Sequence, residues 1–572
     1  MNLRLLLNWK VGKTQMKQHS KGHSLLLKGV ATIAILGALV VTPGIASAAK
    51  DGGSAAGAPD INAQPVSKLK QGGTFVWATT QLCDNYNTSH VDGNFAGCSY
   101  LMNGLLPGAF FTDDKGAFQI DKNYFTDVKL TSSKPEVITY TLNPKAKWSD
   151  GKAIGLADFV GFWKALNGTD ETYEVVSTTG YEDIASITKG ASANQIVVKF
   201  KNIYADWQGL FGGLLPASVT ATPTAFNTSW LAAPALTAGP FKWGGTDKTA
   251  GTAWTVPSTT WWGDKPVLDK MLWKVVSATA QLDALANGEV DAANTGPDAN
   301  QYKRGLTLPG VSVRQSVAPN YRHMTFGNTG FMTDTRVRQA IMMGIDRNVI
   351  TQALIGPIDS KATPMDNHIF VKGLSCYKSN AGIYGTYNLQ KADALLDAAG
   401  WVKSGTKRTK GGVDLKPKIT IPAGVTTSAQ EAQLMQAMLS PLGIQLEIQT
   451  VPSADFFSKY IIPGNFEMTV FTWLGTALPI SSSKSIFATD GGQNYGKIGT
   501  AEIDALFTKA NSELDPAKRC TLATQIDKKI WAVGHSLINY QRPDVWQVDA
   551  KLANFGAFGF SSGDYTKIGF MK

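Results

Sequence analysis

The run Tyr140-Thr-Leu-Asn-Pro-Lys-Ala-Lys-Trp148-Ser-Asp-Gly-Lys-Ala-Ile-Gly-Leu-Ala157-Asp158-Phe159 decides how the rest of this chain is read. Val137, Thr139 and Thr141 belong to an extended apolar/polar run with the two-residue period of a strand. Asp150-Gly151 then signals a turn, because glycine takes positive φ without steric cost. Asp158 opens an amphipathic helix through Phe159, Val160, Phe162, Trp163, Ala165 and Leu166. The segment therefore predicts strand, turn and helix, and it carries no nucleophile or metal cluster.

Outward from it, strand and helix patterns alternate from Gly73-Thr-Phe-Val-Trp77-Ala to the end of the chain, with no internal repeat or low-complexity block. This is an α/β pattern. At 572 residues the chain exceeds one compact core, so two or more lobes are expected. Its 43% hydrophobic and 17% charged residues fit a soluble globular protein. The net charge of +10 is largely N-terminal: Arg4, Lys10, Lys13, Lys17, Lys21 and Lys28 precede residue 49 with no acid among them, which leaves +4 for the rest. No Lys/Arg cluster remains there to mark a nucleic-acid face.

The N-terminus reads as a secretory signal over residues 1–48. A basic stretch leads into the apolar run Gly29–Val41, then Pro43-Gly44, then Ala46-Ser47-Ala48 with small residues where signal peptidase would cut before Ala49. Thirteen apolar residues are too few for a stable membrane span. The long basic region makes Met16 an alternative start. Residues 49–72, rich in Gly, Ala, Ser and Pro, are expected to form a flexible leader. Four cysteines lie beyond it: Cys83, Cys98, Cys376 and Cys520. An even number after export suggests disulfides with three pairings open. Cys83–Cys98 is locally plausible and would leave Cys376–Cys520; buried free thiols are the alternative. There is no Cys-x-x-Cys and no His near a Cys at zinc spacing, so no metal and no cofactor are expected.

A set of short motifs recurs in order along the chain. They are Gly72-Gly73-Thr74-Phe75-Val76, Asn103-Gly104-Leu105-Leu106, the Trp148-Ser-Asp-Gly-Lys signature with Ala157-Asp158-Phe159, and Gly239-Pro240-Phe241. Then come Trp261-Trp262-Gly263-Asp264-Lys265-Pro266, Leu285…Gly288-Glu289-Val290-Asp291, and Val337-Arg338-Gln339-Ala340-Ile341…Ile345-Asp346-Arg347. Lys391-Ala392…Leu395-Leu396-Asp397-Ala398-Ala399-Gly400-Trp401 and Leu442-Gly443-Ile444 complete the series. Together they resemble the family 5 extracellular solute-binding proteins, the peptide receptors of ABC importers. Independently of the family, Val337, Ala340, Ile341 and Ile345 fall at helical spacing and should face a core, and Gly288 and Gly400 suit helix C-caps. Arg338 and Asp346 read as structural ion-pair residues. The opening motif identifies the family but reads as scaffold.

The resemblance implies a two-lobed periplasmic-binding-protein type II fold of the large, three-subdomain variety. It implies a first lobe over 73–315 with an inserted subdomain at about 105–215, a second lobe over 316–545, and a C-terminal return over 546–572. It further implies an oligopeptide-like ligand held between the lobes, ABC permease subunits as partners, a monomer, and an exported location. Many family members are lipoproteins anchored through a Cys at the cleavage site; this chain has none there. Two segments are implied to line the cleft: Cys83, Asp84, Asn85, Tyr86 and Asn87 after the first strand, and Trp473, Leu474, Gly475 and Thr476 in the second lobe. Asn494 and Tyr495 are expected to add contacts from the opposite wall. In peptide receptors of the family an Asp at the place of Thr476 receives the ligand's α-ammonium. A hydroxyl cannot supply that charge-assisted bond. Either Glu467 or Asp84 then serves, or the ligand lacks a free N-terminus, as a glycan fragment, modified peptide or metallophore would.

Catalytic patterns are thin. Gly559-Phe-Ser561-Ser-Gly563 formally satisfies G-x-S-x-G, the one opening for a secreted hydrolase, but no His follows His535 to complete a triad in that order. There is no H-E-x-x-H, Walker A or dinucleotide fingerprint. The chain reads as a binder, not an enzyme.

Overall fold

The computed structural model describes residues 57–572; the expected signal segment 1–48, the alternative start at Met16 and the first part of the leader lie outside them. Residues 57–72, expected to be flexible, are instead held against the body. Asp60 bridges Ala557 and Leu69 bridges Met571, both antiparallel, and Leu69 is fully buried. Asn554 clamps the backbone of Gln64, accepting its N–H (2.8 Å) and donating to its carbonyl (3.0 Å). These partners come from nearly 500 residues downstream, so the local composition that suggested a linker carries no trace of them.

One ten-stranded mixed sheet runs through the molecule. Its first-lobe half is built on Thr74–Thr79, parallel to Lys270–Val275, with Thr252–Pro257 and Phe241–Asp247 continuing antiparallel to the edge. Its second-lobe half holds Met468–Trp473, Lys418–Pro422 and the edge strand Glu447–Val451. Two long strands, Val311–Phe326 and Ser536–Asp549, belong to both halves. Val311 to Val317 pair with Asp549 to Pro543 in the first lobe, and Tyr321 to Thr325 pair with Gln541 to Ser536 in the second. Between them the ladder breaks over Ala318-Pro319-Asn320. Pro319 and Pro543 have no N–H to donate there. An interrupted ladder of two strands is how a hinge is built: few bonds resist rotation of one half against the other.

An inserted four-stranded antiparallel sheet (Phe125–Ser133, Glu136–Leu142, Gln195–Phe200, Ile184–Lys189) holds the start of the opening motif, whose turn and helix follow its second strand. Glu136–Leu142 alternates strictly, burying Glu136, Ile138, Tyr140 and Leu142. The helix starts two residues earlier than the sequence suggested, at Leu156–Leu166, and packs Phe159 edge-on against Tyr140. Trp148 is buried and donates its indole N–H to Asp158 Oδ2 (3.2 Å). Asp158 also accepts the N–H of Gly155 (2.9 Å) and of Ala217 (2.8 Å), so one carboxylate ties turn, helix start and the next helix together. The motif's residues are used up in this scaffold.

In the second lobe Val337, Ala340, Ile341 and Ile345 are fully or nearly fully buried. Gly288 in the first lobe and Gly400 in the second take positive φ just past their helices. Arg338 differs from expectation. It pairs with no carboxylate; its guanidinium donates to the carbonyls of Met332, Val533 and Gly534, closing the C-terminal end of helix Pro516–Val533. Asp346 likewise acts as an N-cap, accepting the Asn348 N–H (2.9 Å).

Candidate functional site: the cleft between the lobes

The two lobes meet where the crossing strands break, and of the expected site residues Gly475 is the one seen against that break, through Pro319 and Asn320. In the loop after the first strand, Cys83 is bonded to Cys98, while the other pair is Cys376–Cys520. Asp84 is exposed. Asn85 and Asn87 are fully buried, and their side chains hold the loop itself: Asn85 Nδ2 donates to Asn227 O (2.9 Å) and Asn87 Nδ2 to Phe226 O (3.0 Å), while their Oδ1 atoms accept the N–H of Asn87 and Ser89. Tyr86 is buried too, edge-on to Trp243 at 4.6 Å, and burial raises its hydroxyl pKa. Of this loop, only Asp84 and the half-buried Cys83 retain exposed surface.

In the second lobe, Trp473 closes the strand Met468–Trp473 opposite Tyr321. The indole is half-buried and lies nearly parallel to His323 (5.8 Å between centroids) and to Tyr495 (5.9 Å), with Phe471 edge-on at 5.1 Å. Leu474, Gly475, Thr476 and Ala477 come next, all exposed. Gly475 donates its N–H to Asn320 Oδ1 (3.3 Å), and a Cβ at Gly475 would run into the Pro319 carbonyl. This loop is thus seated on the hinge. Thr476 Oγ1 accepts the Leu478 N–H (3.1 Å) and donates to Ser482 Oγ (3.1 Å), shaping the entry to helix Pro479–Phe487. Asn494 is buried and bonded to the carbonyls of Ala488 and Ile498, which fixes the loop that presents half-buried Tyr495.

Glu467 is not where an ammonium acceptor beside Trp473 would be. It precedes the far end of that strand, and its two oxygens accept the N–H of Phe331 (2.9 Å) and of Lys418 (2.8 Å). There it lines a cavity of about 730 Å³ with Lys416, Lys418, Glu447 and Gln449, at the outer edge of the second-lobe sheet.

Sequence reading missed two features. The first is a contact across the cleft. From the inserted subdomain, Ala205 donates its N–H to Asn511 O (2.7 Å). Asp206 Oδ1 pairs with Arg519 Nη1 (2.7 Å) and its Oδ2 accepts the Ser481 N–H (3.3 Å), with Asp206 buried and Arg519 16% exposed. The lobes therefore touch in this conformation. The second is a polar patch on the crossing strand itself. Arg542 and Asp544, two residues apart and so on one strand face, are both half-buried at the break. Asp544 accepts the Trp546 indole N–H (2.8 Å) and the Asn294 amide (3.1 Å), and burial raises its pKa. Tyr100, 37% exposed and stacked on Trp77 at 5.4 Å, faces the same charges; burial and the nearby Asp544 carboxylate push its hydroxyl up to about 12. Two charged residues two apart inside the strand Ser536–Asp549 were the available signal.

No hydrolase elbow forms at Ser561. The Gly559–Gly563 segment is a loop whose Ser562 bonds Thr112, and the next element is a single 3-10 turn, Tyr565–Lys567. Among the described residues no group of three or more His, Cys, Asp or Glu is placed to hold a metal ion, and no helix is long and apolar enough to cross a membrane.

Two α/β lobes joined by a broken strand pair, with aromatic and charged side chains gathered at the break, define a clamp-type solute receptor. The chain belongs to the bacterial extracellular solute-binding proteins, family 5, whose middle region it matches over residues 126–495. It is 40% identical over 518 residues to the oligopeptide-binding protein OppA of Mycobacterium tuberculosis (strain ATCC 25618 / H37Rv), covering 90% of this chain and 87% of that one. It is also 24% identical over 359 residues to a probable monoacyl phosphatidylinositol tetramannoside-binding protein, LpqW, of Mycobacterium tuberculosis (strain CDC 1551 / Oshkosh), across 60% of this chain and 54% of that protein. Among solved structures, the periplasmic EDTA-binding protein EppA superposes with a TM-score of 0.84 at 23% identity, over 91% of this chain and all of that one. The oligopeptide-binding protein AppA of Bacillus subtilis, in complex with a nonapeptide, does so at 0.74 and 20% identity, over 88% of this chain and all of that one. Both likenesses establish the fold. As a member of this family the protein is a transport receptor, not an enzyme.

Proposed function

We propose that the protein is the exported receptor of an ABC importer, capturing an oligopeptide or oligopeptide-like solute between its lobes and presenting it to membrane permease subunits, and acting as a monomer. The observation that carries this reading is the hinge: the chain crosses between lobes twice, and the ladder of the two crossing strands is interrupted at Ala318-Pro319-Asn320. Closure around a ligand then costs few strand bonds, and a ligand that contacts both lobes selects the closed state. The half-buried Trp473 and the adjoining polar strand groups suit a peptide, whose backbone offers donors and acceptors at regular spacing. The 40% identity to an oligopeptide-binding protein over nearly the whole chain supports the same choice.

The test is a ligand screen by thermal melting of the protein lacking residues 1–48. A random peptide pool is expected to raise the melting temperature by mass action, and denaturing mass spectrometry of freshly purified protein to release a peptide. An oligosaccharide pool that raises it while peptides do not would overturn the peptide reading. A second reading, a ligand without a free α-ammonium, is favoured by Thr476, whose hydroxyl is engaged with Leu478 and Ser482 where a carboxylate was expected. N-acetylated peptides binding as tightly as free ones would establish it.

A further inference from the structure

We propose that Arg542 is the anion anchor of the cleft, its guanidinium taking a carboxylate of the bound solute. The inference rests on the cleft being a peptide site and names a group that this site recognises.

Nine arginines lie among the described residues, and eight are bonded. Arg304, Arg322, Arg336, Arg347, Arg408 and Arg519 each pair with a carboxylate, and Arg314 and Arg338 donate to backbone carbonyls. Arg542 alone has neither a hydrogen bond nor an ion pair among the described residues, although it is half-buried. An unpaired, partly desolvated guanidinium is an expensive arrangement, and Arg is the side chain best shaped to recover that cost by a two-pronged bond to a carboxylate.

The surroundings hold the group ready without neutralising it. Asp544 is the nearest charge of opposite sign, yet it lies outside ion-pair distance, and its oxygens are engaged with Trp546 and Asn294. Burial lowers the Arg542 pKa, with the Asp544 field offsetting only part of this. The guanidinium lies over the turn at Gly296, whose φ of +58° and missing Cβ leave room for it; a Cβ there would collide with Nη2. The Tyr100 hydroxyl, which makes no hydrogen bond among the described residues, is a second donor facing the same charges. Placed on the crossing strand, a carboxylate bound to Arg542 would touch the element that joins both lobes.

The carboxylate of a peptide can be its C-terminus or an acidic side chain. The experiment is calorimetric titration of wild type, Arg542→Gln and Arg542→Lys with three probes: pentaalanine, its C-terminal amide, and an amide with Glu at the central position. Wild type should bind at least one carboxylate-bearing probe tenfold or more tighter than plain pentaalanine amide; which one identifies the source. Arg542→Gln should erase that difference, leave the plain amide's affinity unchanged and not lower the melting temperature, with Arg542→Lys between the two. Equal wild-type affinity for all three, or an equal loss for all three in Arg542→Gln, overturns the anchor while leaving the peptide reading standing. Wild type binding none of the three overturns the peptide reading and the anchor together.

Discussion

Acid should destabilise this protein through its buried imidazoles: burial holds the pKa of both His323 and His535 below the free value, and His535 gives the magnitude. His535 is buried in the second lobe, its Nδ1 at 3.2 Å from Ser536 Oγ and its edge against Phe487 at 4.8 Å. Burial, reinforced by the charges of His368 and Arg338, holds its pKa down at about 3, against 6.5 for a free imidazole. The folded protein therefore keeps the ring neutral while the unfolded chain protonates it below pH 6.5. The stability due to this neutrality is complete above pH 6.5 and declines as pH falls toward 3. At about 1.4 kcal/mol per pH unit of separation, the full loss is about 5 kcal/mol, and the part realised between pH 7.5 and 4.5 is about 3 kcal/mol. Glu136, pushed up to about 7 by burial, and Asp291, to about 6, titrate in the opposite sense, so wild type alone is a poor readout. The assay is urea unfolding of wild type and His535→Gln at both pH values. Glutamine can keep a bond to Ser536 and never charges, so the variant should gain about 3 kcal/mol on wild type in moving from pH 7.5 to 4.5. A stability difference that stays the same at the two pH values would refute the reasoning.

Three other perturbations address the cleft and the framework. Arg519→Gln leaves Asp206 buried without its charge partner, and should open the lobes: a larger radius of gyration by small-angle scattering and faster ligand release, with Asp206→Asn milder because it keeps an acceptor for the Ser481 N–H. Trp473→Ala, removing a half-buried ring stacked on His323 and Tyr495, should weaken ligand binding about tenfold by calorimetry while leaving the fold intact by circular dichroism. Replacing Cys376 and Cys520 by Ser should lower the melting temperature more than replacing Cys83 and Cys98. The sequence separations of 144 and 15 residues correspond to about 5 and about 3 kcal/mol of unfolded-state entropy.

How legible the molecule was varies with the range of the interaction. Glu136–Leu142 shows its alternation in the sequence, and Val337, Ala340 and Ile341 their helical spacing, because burial of one face of a regular element imposes a period on neighbouring residues. Arg338 shows where this fails. Its type and position suggested an ion pair, but what it meets is the carbonyl end of a helix almost 200 residues away. The loop from Cys83 to Asn87 fails in the same way. Its polar residues looked available for a ligand, yet Asn85 and Asn87 are enclosed by backbone from residues 226 and 227. A polar side chain reads the same in sequence whether its partner is solvent, ligand or a distant carbonyl.

The sequence by itself determined the α/β class and the strand, turn and helix around Trp148, and its ordered motifs identified the family, since these rest on local conformational preference and periodic burial. Which side chains stand open to the cleft was decided by tertiary structure alone. Arg542 stands apart from the other eight described arginines because it has no hydrogen bond or ion pair among the described residues, while the oxygens of Asp544, its charged neighbour, are engaged with Trp546 and Asn294. That distinction depends on the whole set of long-range bonds, and no stretch of sequence contains it.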